Sequence, residues 1–366
     1  MTKTYFAPGR VNLIGEHLDY NGGLVLPAAL TIGVTATFTK RTDNRIVLRS
    51  ASHLLQKEID LSDLIAFNPA NDWTNYPLGI ICQLIKENHA VPACEITYSS
   101  NLPEGSGLSS SAAVEVLTAF MLLSQTEQNI NLPWLGNFCK QVENEFIGVQ
   151  CGIMDQFAVA MGKADHAILL NCSTLEHTYV HFELNNYRLL ILNTKKPRSL
   201  IHSKYNERKS ECEEALRILQ ATQSIQNLAQ ASMSLLDLIK DETIKKRARH
   251  VVTESLRVKE TVKALRFNDL STFGRLMNAS HASLKNDYEV TGKELDVLAE
   301  EAQQLKGCLG ARMTGAGFGG CAIALVHHDS IAEFKHVLAF KYQAATGLNC
   351  EIYESQIGDG VREIKT

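Results

Sequence analysis

The sequence predicts an α+β protein built from two domains. Three observations carry that expectation. The chain has 366 residues, more than one ordinary core accommodates. Its first half alternates strand-like and helix-like segments, whereas much of the span from 203 to 305 has helical spacing. Strand-like segments then return near the end. Hydrophobic residues make up 45% and charged residues 21%, as in an ordinary globular protein.

Taken in order, "GVTATFTK" (33–40) and "RIVLRS" (45–50) alternate and are β-branched, as strands are, with "TDN" between them as a hairpin turn. "CEITYSS" (94–100) reads as another strand. "LSSSAAVEVLTAFMLLSQ" (108–125) reads as a helix that is apolar almost all round, so it is predicted to be buried. "HAILLNC" (166–172) and "RLLILNT" (188–194) read as strands. Segments 203–220, 234–265 and 291–305 have helical spacing, and "CAIALVH" (321–327) and "NCEIYESQI" (349–357) are strand-like. The junction is expected near 175–195, which divides the chain into 1–185 and 186–366.

A formal net charge of −4 gives no electrostatic reason to expect nucleic acid or an anionic membrane as partner. The basic run "IKKRARH" (244–250) lies among helix formers and is expected to be a solvated helix face. The N-terminus has no apolar signal region, and no stretch is apolar enough for a membrane span. Nine cysteines without a C-x-x-C pair indicate neither a zinc site nor a disulfide framework. Reduced thiols in the cytoplasm, most of them small buried residues, are the expectation.

Four stretches concentrate chemistry. "PGRVNLIGEHLDYNGG" (8–23) places Arg10, Glu16, His17 and Asp19 within ten positions, among glycines that bend the chain. By itself this is a salt-bridge cluster or a pocket wall. "NLPEGSGLSSSAAVEV" (101–116) joins a strand to the buried helix. Its glycines and serines make either a serine-capped turn or an anion site at the helix N-terminus. It is neither a Walker A loop nor a dinucleotide fingerprint, because the residue spacing differs from both. "MTGAGFGGCAIAL" (313–325) is a tight turn, or a second backbone packed against the first loop. "GVQCGIMDQFAVAMGK" (148–163) sets Asp155 among apolar residues, where a carboxylate is costly unless paired. Glu143, 12 residues earlier, reads alone as a surface glutamate.

Together these stretches resemble the galactokinase family of the GHMP kinase superfamily. "PGRVNLIGEHLDYNGGLVLP" (8–27) is similar to the galactokinase signature, "LPEGSGLSSSAAVEV" (102–116) to the superfamily ATP loop, and "TGAGFGGCAIAL" (314–325) to its third motif. "CGIMDQFA" (151–158), "DWTNYPLGII" (72–81) and "SHASLKNDYEVTGKELD" (280–296) extend the resemblance over nearly the whole chain. It implies a two-domain GHMP kinase fold: an N-terminal α+β domain and a ferredoxin-like C-terminal domain, with the active site in the cleft between them.

It also implies residue roles. Arg10 and Asp155 match the catalytic pair at the sugar C1 hydroxyl. Glu16, His17, Asp19, the Gly152 backbone and Tyr205 match the sugar contacts. Pro103, Gly105, Ser106, Gly107, Leu108, Ser109, Ser110 and Ser111 match the loop around the ATP phosphates. Trp73 matches the aromatic residue beside adenine, with Asn75 and Tyr76 nearby. Ser111 and Glu143 match the Mg²⁺ ligands. The implied activity is transfer of the ATP γ-phosphoryl group to the C1 hydroxyl of α-D-galactose, giving galactose 1-phosphate and ADP. The alternatives are a kinase for N-acetylgalactosamine, galactosamine or L-arabinose, and a non-catalytic galactose sensor on the same fold. The partners expected are small molecules acting on a cytoplasmic monomer. Leu18, where many members have Thr, and Gln150, before the Cys-Gly pair, depart from the family pattern with little expected effect. Members often carry a longer segment before the signature, which here starts at Pro8, so an N-terminal helix or strand is expected to be missing.

Overall fold

A computed structural model gives the fold. It describes all residues other than 1, 64, 104, 127–128, 197–200 and 366, and all their side chains other than those of 201–203. Strands β1 (Thr2–Asn12), β2 (Leu24–Val25), β3 (Pro27–Lys40), β4 (Arg45–Ser50), β5 (Lys57–Asp60) and β6 (Cys94–Ser100) come first. β1, β3, β4, β5 and β6 join β13 (Arg362–Ile364) in a six-stranded sheet of order β13-β1-β3-β6-β4-β5. The end of the chain therefore pairs with its beginning, Thr4 facing Ile364.

The expected hairpin across "TDN" does not form. β4 pairs in parallel with β6 and antiparallel with β5, and β6 lies between β4 and β3. Alternation and turn residues identify two strands and a reversal, but they do not say which neighbour each strand chooses.

Helices α1 (Asn75–Lys86), α2 (Ser110–Leu123), α3 (Leu132–Val142) and α4 (Met154–Met161) cover this sheet, with α2 against β1, β3 and the other three helices. α2 is buried as its composition predicts, through Ala112, Val116, Leu117, Met121 and Leu122. Burying one such leucine contributes roughly 1.5–3 kcal/mol. β7 (His166–Asn171) and β8 (His177–His181) make a small sheet with β2.

The second half is a four-stranded antiparallel sheet: β9 (Tyr187–Asn193), β10 (Cys308–Thr314), β11 (Cys321–His327) and β12 (Glu351–Ser355), in spatial order β10-β11-β9-β12. Between β9 and β10 run α5 (Ile201–Gln220), α6 (Glu242–Arg266), α7 (Leu270–Ser283) and α8 (Gly292–Gln304), and α9 (Ile331–Thr346) links β11 to β12. The path strand, helices, strand, strand, helix, strand, with the first and third strands central, is the ferredoxin-like arrangement.

Two sequence expectations change here. The helix expected over 234–265 starts at Glu242, because the Asp241 carboxylate accepts from the N–H groups of Thr243 and Ile244 at 2.8 and 3.0 Å. Residues 233–238 form a 3₁₀ turn instead. Nor is the basic run 244–250 simply a solvated face. Arg247 is 2% exposed and donates to Glu211, Glu289 and the Asp287 carbonyl. Among the cysteines, 82, 94, 139, 212 and 321 are buried and the other four half-buried. No helix among the described residues is long and apolar enough to cross a membrane.

Candidate active site

β1 leads directly into the site. Its register with β3 shifts between Pro8 and Arg10, a bulge that admits a proline within a paired strand. The Arg10 guanidinium donates through Nε and Nη2 to the two carboxylate oxygens of Asp155, each at 2.8 Å, and through Nη1 to the Gly107 carbonyl at 2.8 Å. Asp155 sits in the first turn of α4, so the apolar neighbours in its sequence face the core while its carboxylate reaches a buried arginine. Its side chain is 30% exposed, which leaves it accessible from the cleft.

After Asn12 the chain turns at Gly15 (φ +103°) and His17 (φ +62°). A Cβ on Gly15 would lie 2.9 Å from the Leu24 carbonyl, so glycine is required there. The Gly15 N–H donates to Glu254 at 2.9 Å. Burial works against charge on Glu254, but Arg257, His250, Arg312 and the Ser280 hydroxyl outweigh it and hold its pKa at about 2. Glu16 is 1% exposed and its carboxylate accepts from Asn12 at 2.9 Å and from the Gly315 N–H at 2.7 Å, with Arg312 Nη2 3.6 Å away. Burial raises its pKa in spite of Arg312.

These contacts join the signature to the turn between β10 and β11. Arg312 donates to the Asn12 carbonyl at 3.0 Å, and the Asn12 N–H donates to Thr314 at 3.0 Å. Gly315 (φ +85°) lies where an added Cβ would stand 3.2 Å from the Gly107 carbonyl. The third motif thus packs its backbone against the phosphate-type loop, the second of the two readings its glycines allowed.

In that loop the Leu108 carbonyl accepts from the Arg10 N–H at 3.1 Å. Ser109 is left-handed (φ +62°), and its hydroxyl bonds Asp155 at 2.5 Å instead of capping α2. Pro103, Gly105, Ser106, Ser110 and Ser111 complete the approach to the helix N-terminus. Glu143 lies in a π-helical turn, Glu143–Ile147, that continues α3. It is not the surface glutamate its sequence neighbourhood suggested: it is 7% exposed and bonded to Gln156, Cys151 and Ser111. Burial and the nearby Asp155 charge raise its pKa.

Arg10, Glu16, His17, Asp19, Ser111, Glu143, Gly152, Asp155 and Tyr205 line one cavity of about 180 Å³, together with Gly315 and Ala316 of the third motif. Burial, then repulsion from Asp155, raises the pKa of Asp19 to about 7, and burial lowers that of His17 to about 3. A neighbouring cavity of about 420 Å³ is lined by Phe67, Pro69, Asp72, Asn75, Tyr76, Ile147 and Val149, and Val149 borders both. Trp73 lies outside that lining. It stacks on His53 and donates to the Leu55 carbonyl at 3.2 Å.

Sequence reasoning passed over several residues that hold this site. Glu115 is fully buried in α2, one carboxylate oxygen accepting from Gln156 at 3.3 Å and the other without a hydrogen-bond partner among the described residues. Its signal was present as the single acid in an otherwise apolar helix. Arg312 and Glu254 carried no local signal, and Tyr288 lies in the stretch 280–296 without being singled out there.

The chain matches three family models: the galactokinase galactose-binding signature over 2–40, the GHMP kinases N terminal domain over 75–163 and the GHMP kinases C terminal model over 261–344. It is 47% identical to a galactokinase of Clostridium acetobutylicum, covering 98% of this chain and 94% of that protein. It is 46% identical to one of Halalkalibacterium halodurans, covering 99% and 93%. Among solved structures, Lactococcus lactis galactokinase complexed with galactose superposes with a TM-score of 0.95 at 45% identity, covering 99% of this chain and 95% of that one. A mevalonate kinase at 20% identity and TM-score 0.70 shares the fold.

Proposed function

The chain belongs to the galactokinase family of the GHMP kinases, and on that premise we propose that Arg10 and Asp155 act on the C1 hydroxyl of galactose. The protein is an ATP-dependent galactokinase. The observation that carries the site assignment is the Arg10–Asp155 pair facing the same cavity as Glu16, His17, Asp19, Gly152 and Tyr205.

The atoms of that pair divide the work. Asp155 Oδ2 accepts from both Arg10 and Ser109, while among the described residues Oδ1 accepts from Arg10 alone. A carboxylate oxygen has about two lone-pair sites, so Oδ1 keeps one for the sugar hydroxyl. As O1 attacks the γ-phosphorus and the bond to the β–γ bridging oxygen breaks, the hydroxyl proton passes to Asp155. Arg10 has five N–H donors and uses three, leaving two for the developing charge. Glu16, His17, Asp19, the Gly152 backbone and Tyr205 hold the remaining sugar hydroxyls. A pocket of buried polar groups rejects epimers that leave those groups unpaired.

The loop from Pro103 to Ser111 presents backbone N–H groups to the ATP phosphates, and adenine lies on the side of Trp73, Asn75 and Tyr76. Ser111 and Glu143 would hold Mg²⁺. The donor set suits a hard cation: the Glu143 carboxylate and the Ser111 hydroxyl are oxygen ligands, and burial first, then the Asp155 charge, raise the pKa of Glu143, so a cation there would relieve the crowding. When bound, the ion neutralises phosphate charge. The division into 1–185 and 186–366, a monomeric state and a cytoplasmic location complete this reading.

A panel of galactose, glucose, N-acetylgalactosamine, galactosamine and L-arabinose with ATP and Mg²⁺ tests it. Galactose-dependent ADP release and a phosphorus NMR signal for an anomeric phosphate are expected. ADP release that ignores galactose, or a preferred sugar other than galactose, contradicts it.

A further inference from the structure

Behind the sugar-facing wall, a line of hydrogen bonds runs from His17 into the core. His17 Nδ1 lies 2.8 Å from the Tyr20 hydroxyl, that hydroxyl 2.8 Å from the Tyr288 hydroxyl, and that in turn 3.0 Å from Cys212 Sγ. His17, Tyr288 and Cys212 are each at most 4% exposed. The His17 ring is held in place by Tyr20, Tyr205 and Tyr288, with centroids 4.8–5.8 Å away. Its other nitrogen, Nε2, is buried and makes no hydrogen bond of ordinary geometry among the described residues, although the Ala316 backbone lies close enough to favour a proton on the ring. His17 lines the candidate sugar cavity.

Resting on the galactokinase reading of that cavity, we propose that Cys212, Tyr288 and Tyr20 form a relay that fixes His17 with its proton on Nε2. His17 then adds a hydrogen-bond donor beside the Glu16 and Asp19 carboxyl groups in the sugar pocket. The relay has two possible directions. In one, the Cys212 thiol donates to Tyr288, Tyr288 to Tyr20, and Tyr20 to His17 Nδ1. In the other, every bond reverses, and a thiol sulfur becomes the last acceptor. Oxygen and imidazole nitrogen are good acceptors, whereas sulfur is a weak one. The first direction uses only the good acceptors and ends in a phenol-to-imidazole bond, so it is favoured. Burial keeps the imidazole neutral, so only one ring nitrogen carries the proton. With Nδ1 accepting, that nitrogen is Nε2.

Glu16 and Asp19 then offer acceptors and His17 a donor, a pattern that pairs with hydroxyls arranged to donate and accept in turn. Tyr20, Tyr288 and Cys212 are positioning residues that act through His17.

Nitrogen-15 NMR of the full chain labelled at histidine tests this, with the His17 signals identified by their loss in His17→Asn. The expected wild-type spectrum has His17 protonated on Nε2. In Tyr288→Phe both tautomers are expected. The galactose KM should rise about tenfold, the equivalent of one neutral hydrogen bond, with kcat and the ATP KM nearly unchanged. Cys212→Ala should raise the galactose KM, and Cys212→Ser, which keeps a donor, should restore it. A proton on Nδ1 in the wild type overturns the relay, as does a Tyr288→Phe enzyme with unchanged tautomer and galactose KM. If Tyr288→Phe does not fold, the wild-type tautomer and the Cys212 pair decide alone. Failure of the wild type to phosphorylate galactose overturns the sugar reading and leaves the tautomer measurement to judge the relay.

Discussion

Asp19 occupies the space where a side chain on residue 152 would begin: a Cβ on Gly152 would lie 2.0 Å from Asp19 Oδ2. The two residues form one wall of the candidate sugar cavity. Gly152→Ala must therefore displace the Asp19 carboxylate. Loss of a hydrogen bond to a charged group is about 1.5–3 kcal/mol, so the galactose KM should rise about 10- to 100-fold. Steady-state kinetics with saturating ATP check this, and an unchanged galactose KM contradicts it.

Asp19 should also give sugar binding a pH dependence. Burial and the Asp155 charge raise its pKa to about 7, so below that pH the folded enzyme carries Asp19 protonated. A protonated carboxyl loses acceptor capacity for a sugar hydroxyl. The kcat/KM for galactose, which reports the free enzyme, should fall as pH drops through about 7. Asp19→Asn should remove that limb while the pH profile of kcat/KM for ATP stays as it was.

Glu16 carries a structural load as well as its proposed sugar contact. Its removal would leave Arg312, which is wholly buried, without its carboxylate partner, and would free the Gly315 N–H. Breaking such a buried pair costs about 3–5 kcal/mol. Urea unfolding of Glu16→Ala should show a loss of that size, whereas Asp19→Ala should unfold nearly as the wild type does.

Glu115 should lower stability as pH rises. Burial and the Glu143 charge raise its pKa well above the ordinary value, so the native state keeps a proton that the unfolded chain releases above about 4.5. Over that window the contribution to unfolding free energy falls by about 1.4 kcal/mol per pH unit. Without nucleotide, Glu115→Gln should show a flatter dependence of urea midpoint on pH. An identical slope in both proteins contradicts the assignment.

How far the fold could be read from the sequence varies from element to element. α2, β9 and β11 are apolar runs whose burial follows from composition. β1 was not legible, because Pro8 and Gly9 interrupt its alternation. The bulge at that point and the glycine opposite, Gly33, make the interruption tolerable; a Cβ on Gly33 would lie 2.1 Å from the Ala7 carbonyl. For the site, the motifs supply the polar residues that line the cavity, but not what holds them. Glu16 meets Gly315 across 299 positions and Gly15 meets Glu254 across 239, and no local pattern records such pairings. The residues behind His17 escaped for the same reason: Tyr288 reaches Tyr20 from 268 positions away.

The most direct test of the account is the turnover of Asp155→Asn, which keeps the shape of the side chain and an acceptor for Arg10 while removing the carboxylate. Galactose 1-phosphate formation is measured by phosphorus NMR with saturating ATP and Mg²⁺, and galactose binding by calorimetry. With Asp155 as the base, kcat falls at least about a hundredfold, as removal of a general base gives, while galactose still binds. Near-normal turnover would contradict it.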